Sequence, residues 1–547
     1  MTEFLDGKYF VGQRILDADE FRGTIRYIGP VASAKKATDI WLGVEWDKEN
    51  RGKHDGSCVD AQGTTQQHFN CAAGAGSFVK PTKIRTGCTF VEALMERYVS
   101  MDAPMITGQE NSLTESFAVT AKGERKVIEF VGESNIRKHQ QLADVVDVSV
   151  RNCAVSSAGD GLAELAGHVT SADVQDNLFS SWTDVTNIVK CLPRLKTLLL
   201  HGNKIGDIDL DAVASFQGHF DELRVMALNR CGLSSWATVS ALHTLLPQIT
   251  ELYLAANPLG RDIAPLPAAA FPHVTVIDLS SCDVASWVAV KEACGALPSL
   301  QALVLDCNAI DNISPNDEEM FSNLTRVSLA STRLSSWSDV NAIATYPKLT
   351  SLRLTHIPLF SGKGASEVRP EVIARVAQLL VFNGSNVTAR ERMDSEKIYL
   401  RKMLRQKRII EGEEAEEQSL AMFHNMNPRF NELNELYGAD LLPMGGEGPS
   451  SGLSSMASDM VAVTLHNLSF ASNGSLEPVS RKLPASLKVE RLRLMVKQLF
   501  GLEAHKQLLS IRTYKGAVPT LMDEDEATIG YFGAIDGADI FINEAKE

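Results

Sequence analysis

The segment LKTLLLHGNKI, residues 195–205, sets an apolar pattern that the chain repeats down its middle. Leu195, Leu198, Leu200, Asn203 and Ile205 hold its fixed positions. Leu223/Met226/Leu228/Cys231/Leu233 and Ile249/Leu252/Leu254/Asn257/Leu259 follow. Val274/Ile277/Leu279/Cys282/Val284, Leu300/Leu303/Leu305/Asn308/Ile310, Leu324/Val327/Leu329/Thr332/Leu334 and Leu349/Leu352/Leu354/Ile357/Leu359 continue it. Two weaker copies lead in, around Cys153 and Asn177, and the fourth position of the pattern returns every 24 to 28 residues. Asn, Cys or Thr at that position can bond backbone groups of a neighbouring coil and so satisfy polar atoms in a buried turn.

A signature of this form recurring every 20–29 residues or so is that of a leucine-rich repeat, in which each coil buries its apolar face against the next. The reading is an α/β solenoid over residues 140–400. A longer period lies over it: Trp182, Trp236, Trp287 and Trp337 each follow Ser, and each has Val three residues on. Ser before a 3.6-period apolar stripe is an N-capped helix, so every second repeat is expected to carry a full helix, with the four Trp as core filler between helices. Residues 368–405 read as the polar cap of the solenoid, and 401–458 as a linker that begins with a charged run and ends Gly/Ser-rich. Beyond it, Met460–Leu468 alternates as a strand and Val479–Leu483 can pair with it. Val489/Leu492/Val496/Leu499 mark one face of a helix, and Leu508–Tyr514 and Gly537–Ile542 are further strands. Residues 460–547 are therefore a small α+β domain of β-grasp type.

Composition bounds the rest. The 547 residues are 44% apolar and 22% charged, enough for roughly three or four domains. The net charge of −15 argues against a nucleic-acid surface over the whole chain. Residues 1–90 sum to +1 and 460–547 to −1, so the middle carries the acidity and the N-terminal module suits an acidic ligand best. Nine Cys with no CxxC spacing read as reduced thiols, Cys282 and Cys307 among them as core thiols. The opening MTEFLDGKYFVGQRI has no apolar signal region, and no run is long and apolar enough to span a bilayer. The expectation is a cytoplasmic protein with no membrane partner.

No nucleotide-binding, metalloprotease, hydrolase-elbow or kinase motif occurs, and Cys and His show no metal spacing. Neither catalysis, a metal nor a cofactor is expected. The strongest site candidate lies in residues 4–90, where Gly-rich turns separate short strand-like runs in the manner of a small, bent β-barrel. Gly52 and Gly56 bracket Lys53, His54 and Asp55, and such a bracket permits a tight loop that approaches a ligand closely. Lys53 offers an ammonium for a carboxylate and His54 a donor or acceptor beside it, while Asp55 holds the loop through local amides. Trp41, Trp46 and Phe78 can line an apolar slot. A helix over Val91–Tyr98 and a polar connector to about residue 140 follow.

WLGVEWD (41–47), GKHDG (52–56) and GSFVKP (76–81) resemble the CAP-Gly domain of cytoskeleton-associated proteins, over residues 4–86. The usual loop of that family is Gly-Lys-Asn-Asp-Gly; here His54 replaces Asn. The resemblance implies a β-structure that binds the acidic Glu-Glu-Tyr/Phe tail of α-tubulin. Lys53 and His54 would then meet its carboxylates, and Trp41 and Phe78 would flank its terminal ring. The order of CAP-Gly, leucine-rich repeats and a ubiquitin-like β-grasp domain resembles the tubulin-folding cofactors. That implies capture of α-tubulin, its tail by the first domain and its body by the concave repeat face. Assembly or dissociation of α/β-tubulin heterodimers with cofactors B, D and C would follow, in a cytoplasmic, cytoskeleton-associated setting. The chain ends without Gly-Gly, so the last domain would serve as a dock, for another cofactor or for the proteasome. A microtubule-associated scaffold and a ubiquitin-pathway adaptor for tubulin turnover are the competing readings.

Overall fold

A computed structural model describes residues 8–99 (except 35–38 and 61), two short strands within 117–127, residues 144–441 (except 268, 317–319 and 413–416) and residues 460–544 (except 469–476, 513–519, 523, 524, 531 and 533). The expected connector up to residue 140 falls almost wholly outside them. The chain divides into two compact units, Met1–Leu359 with Val376–Val387, and Phe360–Arg375 with Thr388–Glu547.

The first unit opens with the barrel. Antiparallel strands run in the order β6 (Gly76–Val79), β3 (Trp41–Trp46), β2 (Arg22–Gly29), β1 (Arg14–Asp17) and β7 (Ile84–Arg85), with β4 (Ser57–Val59) and β5 (Thr65–Gln67) as a separate hairpin. Ile15, Ile25, Leu42, Val44, Trp46 and Ile84 form the core, and the β2–β3 register shifts between Ile25 and Tyr27, where a bulge bends the sheet. Arg14 is fully buried, and its guanidinium is paired with Asp47 and donates to Thr24 at 2.8 Å. A short β8 (Cys88–Thr89) then pairs in parallel with Val155–Ser157 at the start of the repeats. Thr89 and Glu92 form a reciprocal capping box on α1 (Phe90–Leu94). The single helix expected over 91–98 is instead this short α-helix, continued by a wider π-turn over Met95–Val99.

The repeats build a continuous sheet from Asp147–Ser149 to Ser385–Asn386, parallel and in register except for its closing hairpin. Each strand from Ser171–Asp173 onward sits beside the equivalent residues of the next coil. The ladder position does what its chemistry allows. Asn257 Nδ2 donates to the Leu228 and Leu254 carbonyls at 2.9 and 2.8 Å, while its Oδ1 accepts the Cys231 and Leu233 amides at 3.0 and 3.1 Å. Asn177 and Asn308 bond in the same way, and at Cys231 and Cys282 a thiol donates to the preceding coil at 3.3 Å. The residue before each ladder position adopts a left-handed backbone: Asn152, Asp176, Arg230, Ala256, Ser281, Cys307, Ser331 and His356 lie at φ +53 to +59°, and Gly202 at +74°. Cys307 is exposed there, which corrects its reading as a core thiol; its neighbour Asn308 takes the interior place.

The four helices Trp182–Cys191, Trp236–Leu245, Trp287–Cys294 and Trp337–Ala344 are N-capped by Ser181, Ser235, Ser286 and Ser336. Trp182, Trp236 and Trp287 are buried, as core filler should be, whereas Trp337 stays half-buried. Between the first two of them the chain makes only short helical turns, Leu210–Ala212 and Val213–Phe216.

In the second unit, helices Ala365–Arg375, Ala389–Gly412, Glu417–Met426 and Phe430–Leu441 surround Tyr399, Leu400, Met403, Phe423, Phe430 and Leu433. Residues 401–441, read from sequence as the front of a linker, are thus largely helical. Arg401, Lys402, Arg405, Arg408 and Glu411 are exposed on helix Ala389–Gly412, while Met403 and Leu404 turn inward. Ion pairs Arg375–Glu371 (3.0 Å) and Arg429–Glu396 (2.9 Å) lie within this bundle. The C-terminal domain has strand order Val479–Pro484, Met460–Asn467, Ala538–Glu544, Gln507–Arg512, Thr520–Leu521, with a parallel central pair and helix Val489–Phe500 contributing Val489, Leu492 and Val496 to its core. That is a β-grasp fold. No described helix is long and apolar enough to cross a membrane.

Candidate functional site: a cleft on the barrel and the open repeat face

A cleft of about 520 Å³ on the barrel is lined by Trp41, Trp46, Lys53, His54 and Phe78, together with Asp17, Arg51, Val79 and Lys83. Residues distant in sequence reach it through pairing in the sheet: Leu42 sits opposite Val79 and Gly43 opposite Phe78. The Lys53 and His54 amides donate to the Gly76 carbonyl at 2.7 and 3.2 Å, and Gly76 returns its amide to the His54 carbonyl at 2.7 Å. Both loop glycines are sterically required. A Cβ on Gly52 would lie 2.4 Å from the Ala75 carbonyl carbon. On Gly56, at φ +99°, it would lie 1.9 Å from the Phe69 carbonyl oxygen.

Asp55 points away from the cleft and secures the loop, accepting from the Ser57 amide and hydroxyl at 3.1 and 2.6 Å. Those bonds hold its carboxyl below the usual carboxylate range. His54 stacks on Phe78 at 4.6 Å between ring centres, and its Nδ1 accepts the Gly56 amide at 3.0 Å. Burial is the main cause that lowers its pKa; Asp55 opposes and His68 adds to the shift. Lys53 and Lys83 are exposed on the rim and hold no ion pair among the described residues. Trp41 is half-buried beneath the Lys80 ammonium (4.2 Å), with its indole N–H hidden and, among the described residues, unpaired. Trp46, expected to line an apolar slot, lines the cleft from below, under Arg51, and at only 4% exposed also belongs to the barrel core.

Arg51 and Lys83 escaped sequence reasoning. Arg51 directly precedes the glycine bracket, yet its partner Asp17 lies 34 residues away, at 2.5 Å. The seam between barrel and repeats was equally hidden. Arg22 donates to the Asn152 side chain and to the Asp176 carbonyl, contacts 130 and 154 residues apart in sequence. Gly87, at φ +88°, brings the backbone so near that a Cβ would stand 2.2 Å from the Ala154 carbonyl oxygen.

The open face of the repeat sheet is a second surface. Val225 and Val276 in one row, and Leu199, Tyr253 and Val304 in the other, are half-exposed on it, with Glu251 and Asp278 set among them. Ion pairs lie beside them, Arg151 and Arg230 on Asp176 at 3.2 and 3.8 Å, and Arg353 on Asp306 at 3.9 Å.

Family models place a CAP-Gly domain at residues 11–84, a leucine-rich repeat at 268–411 and a ubiquitin-like domain at 462–547. The chain is therefore a three-module protein that joins a CAP-Gly barrel, a leucine-rich-repeat solenoid and a ubiquitin-like domain. Tubulin-specific chaperone E of Bos taurus is 30% identical to it over 521 residues, covering 92% of this chain and 93% of that one. Tubulin-folding cofactor E of Arabidopsis thaliana is 27% identical over 560 residues, with 99% of each chain covered. The chain belongs to the tubulin-specific chaperone E family. Among solved structures, the C-terminal ubiquitin-like domain of mouse tubulin-specific chaperone e aligns with 19% of this chain and 97% of that one, at 14% identity and a TM-score of 0.15.

Proposed function

We propose that this protein is a non-enzymatic tubulin-folding chaperone that captures α-tubulin at two places. The acidic tail enters the barrel cleft, and the folded body meets the open face of the repeats. The convergence of Lys53, His54, Trp41 and Phe78 in one cleft carries the reading: a rim cation without an ion pair among the described residues and a ring donor beside an aromatic slot suit a peptide ending in carboxylates and an aromatic side chain. The half-exposed apolar residues between Leu199 and Val304, interspersed with Glu251 and Asp278, make a mixed surface of the kind that meets a folded partner. Joining two modest contacts raises the effective concentration of the second. With cofactors B, D and C the protein would then assemble or dissociate α/β-tubulin heterodimers, with the ubiquitin-like domain as a dock for another cofactor or the proteasome. A cytoplasmic, cytoskeleton-associated location accords with that work.

Titration calorimetry of the whole chain against a peptide ending Glu-Glu-Tyr tests the tail contact. Binding is expected with a free terminal carboxylate, and a loss of about tenfold or more for the amidated peptide and for Lys53→Ala. Incubation with intact heterodimer separates chaperone from scaffold. Free subunits or a stoichiometric α-tubulin complex support the chaperone, and unchanged dimer the scaffold.

A further inference from the structure

The loop that carries Lys53 also fixes which nitrogen of His54 holds its proton. Nδ1 accepts the Gly56 amide at 3.0 Å, and an accepting imidazole nitrogen carries no hydrogen, so the neutral ring bears its proton on Nε2. Gly56 has little freedom to turn that amide elsewhere. Its carbonyl accepts the His68 amide at 3.0 Å, and its left-handed backbone is pressed against the Phe69 carbonyl. Phe78 stacks on the ring and Phe69 meets it edge-on at 6.1 Å, which fixes the imidazole plane. A proton on Nδ1 would set two N–H groups against each other in a loop that cannot relax around them.

We propose that His54 meets the acidic peptide as a neutral Nε2–H donor, and that its protonation unlatches the loop so that acid weakens peptide capture. The proposal rests on the tail-capture reading above. Its sign is opposite to that of an ordinary histidine facing carboxylates, whose gain of charge would tighten binding as pH falls.

The groups around the ring are few. Lys53 and Asp55 flank it on its own loop, and Asp55 alone favours the imidazolium. From the packed segment beyond, His68 meets Phe78 edge-on at 5.3 Å between ring centres, and the Cys71 thiol reaches the His54 carbonyl at 3.9 Å. Strand Gly76–Val79 contributes no titratable side chain. Burial pushes the Cys71 thiol up and lowers His68. Between about pH 7.5 and 5.5 the peptide carboxylates and Asp55 stay ionised and Cys71 stays protonated, so among these groups only the two histidines, both lowered by burial, can gain a proton.

The test is the affinity of the whole chain for the free-acid Glu-Glu-Tyr peptide across that range, in the unaltered protein, His54→Asn and His68→Gln. An asparagine oxygen can accept the Gly56 amide but has no proton to gain. Affinity should fall several-fold on acidification, within the limit of tenfold per pH unit for one proton. It should stay flat in His54→Asn, and fall in His68→Gln as in the unaltered protein. Tighter binding in acid, or an equal slope in His54→Asn, overturns the latch. Nitrogen-15 NMR of labelled histidine reads the tautomer without any peptide: an unprotonated Nδ1 at neutral pH supports the proposal, and a protonated Nδ1 overturns it. Absence of binding at every pH would remove the tail-capture reading and this proposal with it, whereas pH-independent binding would remove the latch alone.

Discussion

One ladder asparagine holds two coils together. Asn257 is fully buried and satisfies two amides and two carbonyls that have no route to water. Asn257→Ala would strand these groups and is expected to destabilise the repeats by about 3 kcal/mol or more. Cys231→Ala removes one weak thiol bond and little volume, at a cost of about 1 kcal/mol. Urea unfolding followed by the amide-exchange protection of residues 225–259 compares the two, and equal losses would mean that the ladder bonds are not the link between coils. These positions were legible in the sequence because a repeat samples one environment many times, and Asn, Cys and Thr share the capacity to meet backbone polar groups. Cys307 was misread for the complementary reason: it is one residue out of phase, at the left-handed turn, where a side chain faces solvent. His54 shows another limit. Its place in the loop followed from the glycines around it, but its tautomer depends on where the Gly56 amide points, which is set by the Phe69 segment folded behind it.

Among the elements, the left-handed column along the solenoid reverses a common rule. Within a helix, Ala→Gly destabilises by about 1 kcal/mol, and Ala293→Gly in helix Trp287–Cys294 should do at least that. At Ala256, φ +57°, the same change removes a Cβ from a strained backbone and should stabilise by roughly 0.5–1 kcal/mol, after allowance for the freer unfolded chain. Thermal unfolding of the two variants should show shifts of opposite sign; a loss of stability at residue 256 would mean that the turn carries no strain. Serine-capped Trp helices were plain in the sequence because cap, stripe and spacing agreed. The helices between 401 and 441 were obscured because the alternation of basic and acidic runs masks the few apolar residues, Met403, Phe423, Phe430 and Leu433, that hold them together.

For the first unit as a whole, the decisive contact is the seam where β8 pairs with Val155–Ser157 and Arg22 reaches over the first coils. Nothing local announces it, since each partner looks like an ordinary turn until the fold brings them together. Gly87→Ala combined with Arg22→Ala should open it, because the added Cβ collides with the Ala154 carbonyl. Neither residue lines the peptide cleft, so affinity for the free tail peptide is expected to stay within about twofold, whereas affinity for intact α-tubulin should drop by about tenfold or more as the two contacts lose their fixed spacing. Parallel titrations with peptide and protein read the difference, and an unchanged affinity for α-tubulin would show that the spacing is not used.

The seam also separates two things that usually coincide, the path of the covalent chain and the path of mechanical load. The chain pairs β8 with the first coil before it enters α1, so load between barrel and solenoid crosses that pairing and the Arg22 contacts. Only Thr86 and Gly87 separate β7 from β8, and they set the reach of the barrel. A single residue inserted between β7 and β8 would shift that reach at once.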